Sequence, residues 1–241
     1  MKSRIPHRRV HFGTDRLPYS KELPRHQHLY AYATLVLEGR FEQLSYAGRL
    51  VLQPGDVLIN PTFDCHANKM VSRGITLTRL PWPQEGTLGG IYRGLAIDLV
   101  RRVAVHDPAE ASGLLAEQVV GKAYVPSATR DWPDKLATDL RGNPILHISQ
   151  WAQSQGLTRE YAWRCFRRTF GVGPTQFRSE LNARAALLHI MHSKQPLSAI
   201  AADFGFSDQS HMTRSIKALT GASPARWRDS HLFKTGITSR T

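Results

Sequence analysis

The sequence predicts a chain of mixed α and β class in two domains. A small N-terminal β-barrel or double-sheet jelly roll with trailing helices is followed by an all-α C-terminal domain built on a duplicated pair of helices. Three observations carry this. From His26 to about Leu80, short β-branched and aromatic runs alternate with turn signals. After Leu95 the apolar residues return at helical spacing. The last hundred residues hold one pattern twice, about fifty residues apart.

The N-terminus, MKSRIPHRRVHFGTDR, is basic and lacks the apolar stretch of a signal peptide. No apolar run approaches the roughly 20 residues that span a bilayer, so a cytoplasmic chain with no membrane partner is expected. Cys65 and Cys165, one in each half, imply no disulfide framework. The formal charge of +13 favours a polyanionic partner. It is concentrated late in the chain: 13 basic against 5 acidic residues from Asn143 onward, and 19 against 14 before it.

Strands are expected at Tyr30 to Leu37, Arg40 to Tyr46, Arg49 to Leu52 and Val57 to Asn60. Glu38-Gly39, Ala47-Gly48, Gln53-Pro54-Gly55-Asp56 and Asn60-Pro61 separate or close them. His26 and His28, two apart, present both imidazoles to one side of a strand, and His66 follows in PTFDCHAN. Cys65 points away from His66 on a strand and stays outside this group. Three neutral imidazoles with an open position suit zinc, iron, copper or nickel. The same side chains equally line a barrel rim or hydrogen-bond a small-molecule effector.

The order HxH, Gly55, Pro61, His66 resembles the cupin family, whose barrels often hold a metal through such histidines. The sequence departs from that pattern in two places. No Glu lies three to five residues after His28, where Tyr32 and Ala33 sit, and Phe63 stands where Gly is usual. Glu38 is too late in its strand to be taken as the replacement.

Pro81-Trp82-Pro83 and the run Gly86 to Gly90 read as a loop, and Leu95 to Val105 and Pro108 to Val120 as helices. Asp107-Pro108 is a helix start, with Glu110 in the first turn. The face formed by Leu114, Leu115, Gln118 and Val119 either pairs two copies of the chain or packs on the barrel. Lys122 to Arg130 is polar and reads as a linker, and Asp131-Trp132-Pro133 starts a short helix to about Leu140. The expected domains are therefore residues 1–125, the barrel with its trailing helices; 126–143, a linker; and 144–241, the helical domain.

In the helical domain, Ile148 to Gln155 and Arg159 to Phe170 flank the turn Gly156-Leu157-Thr158. A second pair flanks Gly205-Phe206-Ser207, with Ser207, followed by Asp208, expected to cap the later helix. Gly156 answers Gly205, Phe166 answers Ile216, Arg167 answers Lys217, Gly171-Val172-Gly173-Pro174 answers Gly221-Ala222-Ser223-Pro224, and Phe177-Arg178 answers Trp227-Arg228. One such pair arises by chance; two in tandem on the basic part of the chain read as DNA-reading heads. With Met212 and Ile216 inward, Gln209, Ser210, Thr213, Arg214 and Lys217 face outward, the groups that meet base edges and phosphates. Leu181 to Met191 is expected as a rigid connecting helix. Two heads on one side of B-DNA would read sites roughly 10 base pairs apart.

This last hundred residues resembles the DNA-binding domain of the AraC/XylS family of bacterial transcription regulators. Ala152, Gly156, Arg164, Phe166, Gly171 and Pro174 carry the resemblance in the first copy. Ile200, Ala201, Gly205, Phe206, Ser210, Lys217, Gly221, Ser223, Pro224 and Arg228 carry it in the second. Gly173 replaces a usual Ser or Thr, Ile216 a Phe, Met212 a larger apolar residue and Trp227 a Tyr. A cupin-like N-terminal barrel is also that family's usual architecture. The resemblance implies that Arg159, Glu160, Trp163, Arg164 and Arg167 serve the first reading helix and Gln209, Ser210, His211 and Arg214 the second. Arg164 would take a guanine, Glu160 a cytosine amino group and Trp163 a thymine methyl or sugar. Arg167, Arg168 and Lys217 would hold phosphates.

The function expected is a one-component transcription regulator, activator or repressor, and no enzyme. Its expected partners are double-stranded DNA, a small-molecule or metal effector at His26, His28 and His66, a second copy of the chain and RNA polymerase. The alternative is a metal-dependent cupin enzyme with an accessory DNA-binding domain, which the missing Glu and the absence of a paired acid and base oppose. A third reading is non-specific DNA packaging.

Overall fold

The computed structural model describes residues 6–18, 22–83, 89–120 and 131–234. The linker stretch Lys122–Arg130 lies outside them. Contacts divide the chain into two compact units, one from Pro6–Lys135 and the other essentially from Leu136 onward.

The first unit is a two-sheet barrel. Its strands are β1 (Gly13–Pro18), β2 (Glu22–Gln27), β3 (Tyr32–Glu38), β4 (Phe41–Ser45), β5 (Gly48–Leu52), β6 (Val57–Asn60), β7 (Cys65–Met70), β8 (Gly74–Pro81) and β9 (Gly90–Tyr92). One sheet has the order β1-β8-β3-β6-β9, the other β2-β7-β4-β5, and every pairing is antiparallel. The four expected strands are present as β3 to β6. Gly90 lies in β9, not in the loop expected there.

The period-two alternation of β3 explains why it reads as a continuous apolar run. Ala33 and Leu35 turn outward to join Val57, Ile59, Leu80, Trp82 and Tyr92. Val36 turns inward to Phe41, Leu52, Leu58, Met70 and Leu77. Tyr32 and Thr34 share the parity of Val36 and line the interior.

Two helices, α1 (Ile97–Ala104) and α2 (Pro108–Val119), cover the outward face. Asp107 caps α2, accepting from the backbone N–H of Ala109 and Glu110, each at 2.9 Å. The face expected either to pair two copies or to pack on the barrel does pack on the barrel. Leu115 and Val119 are buried in the cluster with the sheet, Leu114 packs against it, and Gln118 accepts from the Ala96 N–H at 2.6 Å.

The second unit holds α3 from Leu136 (the helix runs Trp132–Gly142), α4 (Ile148–Ser154), α5 (Arg159–Phe170), α6 (Pro174–His192), α7 (Leu197–Asp203), α8 (Gln209–Thr220) and α9 (Pro224–Lys234). The connecting helix α6 begins seven residues before the expected Leu181, because Pro174 at its first position fixes a helical φ. Its 19 residues span about 28 Å, and α7, α8 and α9 pack against it.

Candidate functional site

The helical unit repeats its geometry at two levels. Helices α5 and α8 are both 12 residues long and start 50 positions apart. Before each, a glycine turns the chain with positive φ, +68° at Gly156 and +71° at Gly205, a conformation glycine adopts without a Cβ penalty. The next N–H then closes the turn, Leu157 onto the Ala152 carbonyl and Phe206 onto the Ala201 carbonyl, both at 2.9 Å.

Arg178 and Arg228, equivalent in the repeat, have a role that no signal in the sequence shows. Each ties its helix back to the entry of its own motif: Arg178 donates to the Leu146 carbonyl at 2.6 Å and Arg228 to the Gln195 carbonyl at 2.8 Å. The duplication therefore extends to the bonds that set the angle of each head. Phe166 and Phe177 meet edge to face at 5.3 Å inside the first copy.

The cap of α8 differs from the expected one. Asp208, not Ser207, occupies the cap position and accepts from the His211 N–H at 2.7 Å. That bond, with the Ser207 hydroxyl donating as well, lowers the Asp208 pKa. A carboxylate outdoes a hydroxyl here because it also opposes the positive helix end. In the first copy Thr158 fills the role, accepting from the Tyr161 N–H at 3.2 Å.

Buried Ala162, Phe166 and Phe170 fix one side of α5, and Met212, Ile216 and Leu219 fix one side of α8. Arg159, Glu160, Trp163, Arg164, Arg167 and Arg168 are exposed on the first helix, as are Gln209, Ser210, Arg214 and Lys217 on the second. Arg164 and Arg214 hold the same place in their two helices. The Arg167 guanidinium lies 5.1 Å over the Trp163 ring, and that of Arg164 lies 5.8 Å over Tyr161. Tyr161 is exposed; its bond to the Cys165 thiol raises the hydroxyl pKa. His211 is half-buried, edge-on to Phe206 at 5.3 Å with Nδ1 3.2 Å from the Ser207 hydroxyl.

In the barrel unit, His26, His28 and His66 come together. Their ligand atoms all lie within 4.8 Å of one another, and all three residues are buried. His26 on β2 and His66 on β7 are direct cross-strand partners, beside an irregularity in the pairing between Leu23 and His26. Each ring has Nδ1 engaged by an oxygen. His26 donates to the Pro24 carbonyl at 2.8 Å, His28 to the Arg8 carbonyl at 2.7 Å, and His66 lies 3.3 Å from Asp64 Oδ2. Carbonyls only accept, so Nδ1 carries the proton in the first two rings and Nε2 is left with its lone pair. That is the orientation imposed on metal-binding histidines, and the donor set fits a first-row ion.

Burial, reinforced by the neighbouring imidazoles, lowers the pKa of His26 to about 4 and of His28 to about 3. Neutral ligands are therefore ready at ordinary pH.

Tyr32, which stands where the cupin pattern would have Glu, joins the cluster. Its hydroxyl reaches to 3.3 Å from His66 Nε2, and its ring centroid is 4.9 Å from that of His28. Burial pushes the phenol pKa up, so it is a protonated donor. Glu38 is elsewhere, accepting from the Thr76 hydroxyl at the exposed end of β3. Cys65 donates to Gln27 Oε1, outside the cluster as expected. The cluster opens on a cavity of about 140 Å³, polar at Thr34, Gln43 and Asn68 and apolar at Phe41, Met70 and Leu77. Phe63 takes the left-handed conformation, φ +59°, that suits the glycine usual there, and its N–H bonds the His28 carbonyl at 3.1 Å.

A family profile described as a helix-turn-helix domain matches residues 151–230. An uncharacterized HTH-type transcriptional regulator of Haemophilus influenzae is 27% identical over 84 residues, which are 35% of this chain and 28% of that protein. The chain thus spans under a third of that relative's length. Among solved structures, ToxT of Vibrio cholerae with a bound unsaturated fatty acid has a TM-score of 0.42 at 10% identity, covering 95% of this chain and 96% of that one. The C-terminal domain of AraT, a response regulator from Geobacillus stearothermophilus, has 0.42 at 16% identity, covering 48% and 94%. No helix among the described residues is long and apolar enough to cross a membrane.

Proposed function

We propose that this chain, whose C-terminal domain is a helix-turn-helix domain of the AraC type, is a sequence-specific DNA-binding transcription regulator, acting in the cytoplasm, whose barrel receives its effector. The observation that carries the reading is the matched pair α5 and α8. Two equal helices with buried apolar sides offer cationic and polar outer faces, and Arg164 and Arg214 stand at the same position of each. One head grips DNA weakly; two set at a fixed angle select a spaced site.

The effector is a metal ion at His26, His28 and His66, a small molecule in the cavity beside them, or both. A space of about 140 Å³ is close to that which holds one benzene ring. For the effector to regulate, it must bind the DNA-competent and incompetent states unequally. RNA polymerase and a second copy of the chain complete the partners of this reading.

Selection of random double-stranded DNA by the purified full chain tests it. Two half-sites about 10 base pairs apart, bound at least about 10³-fold more tightly than random DNA at fixed salt, are expected. A ratio near one would return the protein to the packaging reading. Repeating the selected-site titration after chelation and after metal loading then measures the coupling.

A further inference from the structure

We propose that the hydroxyl oxygen of Tyr32 is the fourth donor to a divalent first-row cation held by His26, His28 and His66. The inference rests on the reading of the barrel as an effector site and adds to it a ligand and a charge count.

The geometry points there first. Tyr32 Oη and His66 Nε2 are 3.3 Å apart in a buried place. Two donors, each about 2.0 Å from one tetrahedral ion, are separated by about 3.3 Å. The Nδ1 atom of His66 is turned to Asp64, so its Nε2 presents a lone pair and the phenol O–H points at it. The proton between the two atoms holds the place a cation would take. When the cation binds, both atoms exchange that proton for the metal, and one proton leaves to solvent.

Topology supports the choice. Tyr32 and the histidines approach from opposite walls: Tyr32 from the five-stranded sheet, His26 and His66 from the four-stranded one. Two imidazoles from one wall, His28 from the connection between β2 and β3, and a fourth donor from the opposite wall enclose an ion, where three alone leave it open. Tyr32 stands four residues after His28, within the interval where the cupin pattern has Glu. The substitution keeps an anionic oxygen donor at the end of a longer side chain.

Charge decides the class of ion. Three neutral imidazoles contribute none, the phenolate contributes one negative charge, and Asp64 behind His66 contributes a second. A divalent ion is thereby neutralised, which a buried site demands. Of the cationic side chains that act on the cluster, Arg79 is offset by Asp15 at 2.6 Å, while Arg8 and Arg25 oppose positive charge at His26 and make the two negative charges necessary. The Cys65 thiol, turned to Gln27, takes no part.

Copper(II) is the probe, because a tyrosine oxygen bound to it gives a visible charge-transfer absorption that imidazole does not. The full chain is stripped with chelator, loaded with copper(II), and measured for metal content and for its spectrum. The expected result is one copper per chain with the visible band. Tyr32→Phe, which keeps the buried ring and whose folding is checked by its melting curve, should retain copper, bind it at least tenfold more weakly and lose the band. Cys65→Ser should keep the band.

A band that survives Tyr32→Phe, or stoichiometric copper without a band in the unaltered chain, overturns the assignment of Tyr32 while leaving the three-histidine site standing. Failure of the unaltered chain to hold copper overturns both.

Discussion

The indole of Trp163 lies over Gly173 so closely that its Nε1 fills the space a Cβ on that glycine would need. Gly173 is the cap residue of α6 and supplies no side-chain hydrogen bond. In the second copy the equivalent residues are Thr213 and Ser223, and there the serine hydroxyl does accept, from the Arg226 N–H at 3.4 Å. The first head has given up a cap so that a large ring can lie back on the turn, and Arg167 is stacked on that ring.

Gly173→Ser should therefore act on recognition more than on stability. Trp163 is 44% exposed and can swing away, while the new hydroxyl adds a cap worth only about a few tenths of a kcal/mol over glycine. The melting temperature should change little. Preference within the first half-site should shift as the indole and Arg167 move, and the second half-site should not respond. Trp163→Thr with Gly173→Ser, the combination used by the second copy, should melt above either single variant. Equal loss at both half-sites would show that the contact serves folding alone.

Phe63→Gly separates two opposed effects at one residue. Relief of a left-handed φ at a side-chain-bearing residue is worth about 1–2 kcal/mol. The lost ring is 1% exposed, and deletion of such a phenyl costs about 3–5 kcal/mol. The larger effect wins, so glycine should destabilise the barrel by about 1–4 kcal/mol in urea unfolding. An unchanged or raised midpoint would mean that the ring packs loosely.

The metal-free barrel should lose stability on acidification. His26 and His28 have folded pKa values near 4 and 3, below the unfolded value near 6.5. Between those limits the unfolded chain binds more protons than the folded one, so stability rises with pH. Each imidazole contributes a slope of up to about 1.4 kcal/mol per pH unit. Melting curves from pH 7 to 4 should fall steadily, and a His26→Gln, His28→Gln double variant should flatten the dependence. A flat profile in the unaltered chain would rule out buried neutral imidazoles.

How much of this the sequence announces depends on the range of the interaction. Helices α5 and α8 are legible because the apolar spacing, the turn glycine and the repeat all lie within about fifty residues of chain. Strands β1 (GTDRLP) and β7 (CHANKM) are not, because each is largely polar and finds its place only through a distant partner, β1 on β8 and β7 on β2 and β4. The three histidines announce themselves by type and order. Tyr32 does not, since its contact with His66 crosses between the two sheets and no period within one strand reports it. The one local signal was the unfilled place after His28.

On the proposed function, substitutions at Arg164 and Arg214 separate base reading from phosphate gripping. Each is exposed at the same point of its helix, and Arg167 and Lys217 follow three residues later on the same side. Arg164→Ala should relax preference at one position of the first half-site, and Arg214→Ala at the matching position of the second, by about 1–3 kcal/mol each where the contact is bidentate. Lys217→Ala should instead weaken binding to every sequence alike and lower the salt slope by about 1. Titrating selected sites, single-base variants and random DNA at several salt concentrations measures both quantities at once. If Arg164→Ala and Arg214→Ala weaken all sequences equally, these arginines hold phosphates, and base reading falls to Glu160, Gln209 and Ser210, exposed on the same two helices.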